Sequence, residues 1–180
     1  LASTAIAGVF AAGNLYVGKF IKTIGTSGAE IQFGRPFTSR PTQLHGWYNY
    51  ASGTVDKVGG SLPSTAEIGK NDADKCAIYI FLSDKGGAYT VNTSEGKFID
   101  LENDPNIIAY GALPDVDCVT TNGWKEFTLD LVYRSLTRKP THLVIVTSAS
   151  KYGDYFTGST SSVMYIDDFE LIYGNMPLTK

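Results

Sequence analysis

Apolar and polar residues alternate along most of this chain with a period of two, and no stretch sustains a helical period. The clearest case is Trp124 to Tyr133, where Phe127, Leu129, Leu131 and Tyr133 face inward and Glu126, Thr128 and Asp130 face outward beside Trp124. Gln43 to Tyr50 also has two distinct faces: Leu44, Gly46, Tyr48 and Tyr50 on one, and Gln43, His45, Trp47 and Asn49 on the other. Cys76 to Leu82 alternates Cys76, Ile78, Ile80 and Leu82 with Tyr79 and Phe81. His142 to Ser148 differs, because Leu143, Ile145 and Thr147 oppose Val144 and Val146 and both faces are apolar. Such a strand belongs in the middle of a layered structure, covered above and below.

The last strand carries a phase break. Met164 and Ile166 share one parity, while Phe169, Leu171 and Tyr173 share the other. Keeping all five inward needs a one-residue slip, which predicts a β-bulge at Asp167-Asp168. Weaker patterns predict strands at 15–21, 30–33, 88–91 and 107–113, whereas 1–13 read as irregular or edge structure and 52–74 as a polar loop. About eight to ten short strands separated by turn signals predict an all-β fold, a jelly-roll β-sandwich of two antiparallel sheets. At 180 residues, with neither repeat nor linker, residues 1–180 read as a single domain.

Composition narrows the function classes. A net charge of −3 supplies no basic stripe, which argues against a nucleic-acid partner. No span approaches the length that crosses a bilayer. The small-residue run opening at Leu1 is broken by glycines and lacks a basic leader, so it does not read as a targeting segment; any leader is expected outside this chain. Cys76 and Cys118 read as a buried thiol and a separate one, with a single bridge as the alternative. With His45 and His142 they lack zinc spacing. Asn92-Thr93-Ser94 matches a glycosylation pattern but reads as a turn.

Several segments taken together resemble the putative carbohydrate metabolism domain family of bacteria: LHGWYNYASG, DADKCAIYIFL, the stretch from Gly123 through Ser148 into the Gly153-Asp154 loop, and VMYIDDFELIY. The resemblance spans roughly Gly13 to Tyr173 and implies a jelly roll like that of carbohydrate-binding modules. It further implies a protein that is secreted or attached to the cell surface or outer membrane in glycan-degrading gut bacteria. It supplies no catalytic residues.

Sugar rings stack their C–H faces on aromatic rings while their hydroxyls meet amides, carboxylates and imidazoles. His45, Trp47 and Asn49 offer that mixture on one strand, Trp124 and Glu126 on another, and Tyr79 and Phe81 are placed provisionally on the same side. Tyr152 and Asp154 form a second candidate in a loop at one end of the sandwich. Asp167 and Asp168 are candidate ligands of a structural Ca2+, by analogy with sugar-binding jelly rolls; capping of backbone N–H groups at the bulge is the competing role. Glycoside hydrolysis needs two carboxyls close together, and Glu126 and Asp130 lie roughly 13 Å apart along one strand, too far for the task. The sequence therefore predicts a non-catalytic glycan-binding module whose partners are an oligo- or polysaccharide and other surface proteins of a glycan-utilisation system. A protein-binding surface subunit and a glycosidase with an unrecognised carboxylate pair are the alternatives.

Overall fold

The computed structural model describes residues 1–174 and 178–179. In chain order its strands are β1 (Thr4–Ile6), β2 (Val9–Ala11), β3 (Asn14–Tyr16), β4 (Gly18–Ile24), β5 (Gly28–Phe33), β6 (Arg35–Pro36), β7 (Gln43–Ala51) and β8 (Ala77–Ser83). They continue as β9 (Tyr89–Asn92), β10 (Ile107–Ala112), β11 (Lys125–Asp130), β12 (Val132–Tyr133), β13 (His142–Ser148), β14 (Val163–Ile172) and β15 (Leu178–Thr179). The only helical elements among the described residues are single 3-10 turns.

The all-β sandwich expected from the alternation is what forms. Its main sheet runs β15-β12-β10-β8-β13-β3, with β6 also paired to β13. The three-stranded sheet β11-β7-β14 packs on one face of the main sheet, and the three-stranded sheet β4-β5-β9 covers the other. Strand β13 accordingly buries Leu143 and Ile145 toward the first and Val144 and Val146 toward the second. The doubly apolar pattern of 142–148 thus marks the middle of three layers.

The outer sheet β11-β7-β14 is built by the expected parity. On β7, Leu44, Gly46, Tyr48 and Tyr50 are buried, and Phe127 and Leu129 join them from β11. Gly46 has a specific reason to be glycine. A Cβ there would sit 2.6 Å from Phe169 and 2.9 Å from Phe127, the two rings that pack edge to face at 5.3 Å above it. The alternation of 124–133 holds across two sheets, because the chain leaves the outer sheet at Asp130 and joins the main sheet at Val132. Leu131 and Tyr133 stay buried through the switch.

The bulge lies where the phase break predicted it. The β14–β7 register shifts between Asp167 and Glu170, and Asp168 has φ 52°. Met164 and Ile166 before it, and Phe169 and Leu171 after it, all pack on the core. Tyr173 does not: it lies beyond the strand end and is exposed.

One expectation needs correction. Residues 4–11 form the hairpin β1–β2 and not irregular structure, turned by positive φ at Ala7 and Gly8, a device that leaves no hydrophobic period to read. Cys76 and Cys118 are unbridged, in line with the first of the two readings, and they lie side by side. Both are buried free thiols, and the Cys76 N–H donates to the Cys118 carbonyl at 3.2 Å. Asn92 proves to be a cap, its Oδ1 accepting the N–H groups of Ser94 and Glu95.

Candidate functional site

The face of the outer sheet turned away from the core is open, and strand register arranges its side chains in rows. Trp47 of β7 stands between Glu126 of β11 and Asp167 of β14. His45 stands between Thr128 and Glu170, and Gln43 between Asp130 and Ile172. Asn49 is paired with Tyr165, and Trp124, one residue before β11, continues the register on its other side. Trp124 and Tyr165 are 50% and 58% exposed, so two accessible rings flank the Asn49 amide with the partly exposed Trp47 in the next row. Four rows at strand rise extend about 20 Å.

Local contacts hold the polar groups in place. His45 Nε2 and Glu126 Oε1 lie 2.8 Å apart, fixing the imidazole against β11. Asn49 Oδ1 accepts from the Thr121 hydroxyl at 3.3 Å. Gln43 Nε2 donates to Asp130 Oδ1 at 2.7 Å. Beside Trp124 the loop 117–125 frames an open hollow of about 320 Å³.

His45, Trp47, Asn49, Trp124 and Glu126 are thus brought together as the sequence predicted. Tyr79 and Phe81 are not with them. Their side of β8 faces the third sheet, two layers from the open face, and Phe81 is fully buried there. The parity of β8 was read correctly, but sequence could not say that a second sheet would cover that face. Tyr165, Asp167 and Glu170 were missed as members of the platform. Tyr165 has the parity opposite to Met164 and Ile166, which is the signal that places it outward.

Asp167 and Asp168, the candidate calcium ligands, sit at the bulge of β14. Among the described residues no three His, Cys, Asp or Glu side chains gather as a metal site. Asp167 Oδ1 instead accepts the Asp168 N–H at 2.9 Å, capping the bulge.

Tyr79 and Asp154 meet elsewhere, in a cleft of about 270 Å³ between the main sheet, the third sheet and the loop 148–155. Gly153 lets this loop lie against Ala12, whose Cβ would be 2.3 Å from a Cβ at 153, and the 3-10 turn Gly153–Tyr155 carries Asp154 and Tyr155 into the cleft wall. Asp154 retains some accessible surface, yet protein atoms crowd it closely enough that burial pushes its carboxyl above the ordinary range. Asp115, at the same cleft, behaves oppositely. Lys151 at 2.5 Å, with Lys75 at 3.4 Å, holds its carboxyl below the ordinary range. Tyr152 is not in the cleft wall; its ring lies 5.7 Å from the Lys151 ammonium.

A buried node that sequence reasoning left inside a loop anchors this region. Asp74 is 1% exposed, and its Oδ2 accepts from Ser150 Oγ, Ser162 Oγ and the Ser159 N–H at 2.6, 2.8 and 2.8 Å. Its Oδ1 accepts the Lys75 N–H at 2.9 Å.

Residues 2–172 match the family model described as "Putative carbohydrate metabolism domain". No curated protein matches the chain. Among solved structures, one described as a putative glycoside hydrolase from Bacteroides thetaiotaomicron VPI-5482 is similar at 27% identity and a TM-score of 0.65. The match covers 92% of this chain and 48% of that one. Another, described as a putative glycoside hydrolase from Bacteroides vulgatus ATCC 8482, is similar at 26% identity and a TM-score of 0.64, covering 91% of this chain and 65% of that one. This chain therefore spans about half to two thirds of the structures it resembles.

Proposed function

We propose that this chain, which belongs to the putative carbohydrate metabolism domain family, binds a glycan on the open face of its outer sheet without cleaving it. The observation that carries the reading is the arrangement of Trp124, Trp47 and Tyr165 in two adjacent rows with Asn49, His45, Glu126 and Asp167 between and beside them. Aromatic rings supply stacking surfaces, and the interleaved amide, imidazole and carboxylates supply hydroxyl partners at sheet spacing. The face runs along three strands and suits a chain of linked rings more than a single one. Its residues stand in solvent, where water is not excluded from a bond to be broken, and that favours binding over hydrolysis.

Glu126 and Asp167 flank Trp47 on opposite neighbouring strands, about 10 Å apart between backbones. That places hydrolysis second, and the description of both similar structures as putative glycoside hydrolases keeps it in view. A third reading, contact with another surface protein, draws on the exposed apolar side chains Ile6, Leu15 and Phe20 near the β1–β2 hairpin. In the binding role the protein works outside the cytoplasm, where polymeric glycans are met.

The test is affinity electrophoresis through gels containing plant and host polysaccharides. Wild type is retarded by at least one of them with no reducing ends released, and Trp47→Ala weakens binding by about thirtyfold, the equivalent of roughly 2 kcal/mol for a central aromatic anchor. Retardation of Trp47→Ala and Trp124→Ala as strong as that of the wild type in the same gel shows that binding sits elsewhere. Release of reducing ends moves the reading to hydrolysis.

A further inference from the structure

The cleft on the far side of the main sheet has a chemistry that the open face does not use. Its polar lining includes the Asp154 carboxyl and the phenols of Tyr79, Tyr110 and Tyr155. None of the four forms a side-chain hydrogen bond to another described residue. They are not sealed in either, since no fully buried side-chain oxygen or nitrogen among the described residues lacks a partner. Polar groups that open into a cavity and lack protein partners are met by water or by a ligand.

The four groups also converge. All four line the one cleft: Asp154 and Tyr155 sit in the same 3-10 turn, and Tyr79 and Tyr110 are diagonal neighbours across the β8–β10 pair. The Asp154 charge adds to burial in raising the Tyr79 and Tyr155 phenols. The remaining wall is apolar and aromatic, with Phe98 and Tyr155 packed at 4.5 Å between ring centroids and Val146 and Leu101 beside them. At the mouth the Lys151 ammonium is paired with Asp115, which Lys75 also contacts.

We propose that this cleft is a binding pocket for a single neutral sugar ring, separate from the polymer-binding face, with Asp154 and the hydroxyls of Tyr79, Tyr110 and Tyr155 meeting the sugar's hydroxyls. Every phenol both donates and accepts, and the Asp154 carboxyl accepts, which matches a ligand whose own groups do both. An anionic ligand would face Asp154, and an ammonium ligand would leave the donors of the three phenols unused. A volume of about 270 Å³ lies just below the roughly 300–1,000 Å³ of drug-sized sites, which selects one ring over an oligomer.

The experiment is isothermal titration and saturation-transfer NMR of the whole chain with glucose, galactose, mannose, xylose, fucose and N-acetylglucosamine, and with glucosamine as the cationic control. At least one neutral sugar binds. Asp154→Leu weakens that sugar about tenfold or more, and Tyr110→Phe, which keeps the ring and removes only the hydroxyl, weakens it several-fold. Trp47→Ala leaves it unchanged, while Asp154→Leu leaves polysaccharide retardation unchanged, so the two sites stand or fall separately. The proposal is overturned if none of the neutral sugars binds, if glucosamine alone binds, or if Asp154→Leu and Tyr110→Phe both bind as the wild type does.

Discussion

Replacing Asp74 by alanine tests what holds the loop that shapes the cleft. The carboxylate gathers donors from three segments: Ser150 after β13, Ser159 and Ser162 before β14, and Lys75 before β8. Hydrogen bonds to a charged acceptor contribute roughly 1.5–3 kcal/mol each, but these four losses do not simply add. The serine hydroxyls can rotate toward existing neighbours, Ser150 toward Ser3 Oγ at 2.8 Å and Ser162 toward Tyr50 at 3.4 Å. The Ser159 N–H is fixed by the backbone and is left buried without an acceptor. Relief from burying a charge offsets part of the loss. The net expectation for Asp74→Ala is about 3 kcal/mol. With a urea m-value of about 2 kcal/mol/M for a domain of this size, the unfolding midpoint falls by roughly 1.5 M. Asp74→Asn can keep its one oxygen at the Oδ2 position, for the Ser159 N–H and the two hydroxyls, and gives up only the Lys75 N–H bond, so about 1 kcal/mol is expected. Paired urea titrations decide the matter. A loss under 1 kcal/mol for the alanine variant, or equal losses for alanine and asparagine, refutes the account in which oriented acceptor atoms hold the loop.

Two further perturbations separate local effects. Asp168 has φ 52°, so Asp168→Gly is expected to be neutral or slightly stabilising, whereas Asp168→Val costs about 1–3 kcal/mol, read by the same urea titration; equal stabilities for Gly and Val remove backbone conformation as the reason for the residue. Asp154 binds its proton more tightly in the folded chain than its ordinary value of 3.8 implies, so its favourable contribution is present at low pH and is lost as pH rises through the folded pKa. Asp154→Asn cannot ionise and should exceed wild type in Tm by more at pH 8 than at pH 4; a gap that is constant or narrows at pH 8 contradicts the burial of that carboxyl.

What could be read from sequence follows from where the deciding interactions lie. Side-chain parity is local, so the two faces of 43–50, the doubly covered strand at 142–148 and the phase slip at Asp167-Asp168 were all legible before any contact was known. The hairpin at 4–11 was not, because its order comes from left-handed backbone at Ala7 and Gly8 and leaves no period in the side chains. Tyr79 and Phe81 show the deeper limit. Their alternation with Ile78 and Ile80 fixes that they share a face, but which layer covers that face depends on β5 and β9, whose pattern is short and weak. Asp74 was illegible for a related reason, since its partners lie 76, 85 and 88 residues away and each is a serine in polar sequence.

The same distinction bears on the two sites. The open face is assembled by register from strands whose parity is plain, so most of its members could be named in advance, and Tyr165 follows from the parity of its neighbours. The cleft draws Tyr79 from β8, Tyr110 from β10 and Asp154 from a turn, joined by no sequence period. What brings Asp154 there is the close approach at Gly153 and the anchoring of the flanking serines by Asp74. A buried acceptor far along the chain thus positions a cleft-lining carboxyl that makes no side-chain hydrogen bond of its own. Loosening that anchor in Asp74→Ala should therefore weaken single-sugar binding in the cleft while leaving the register-built face to bind polymer as before.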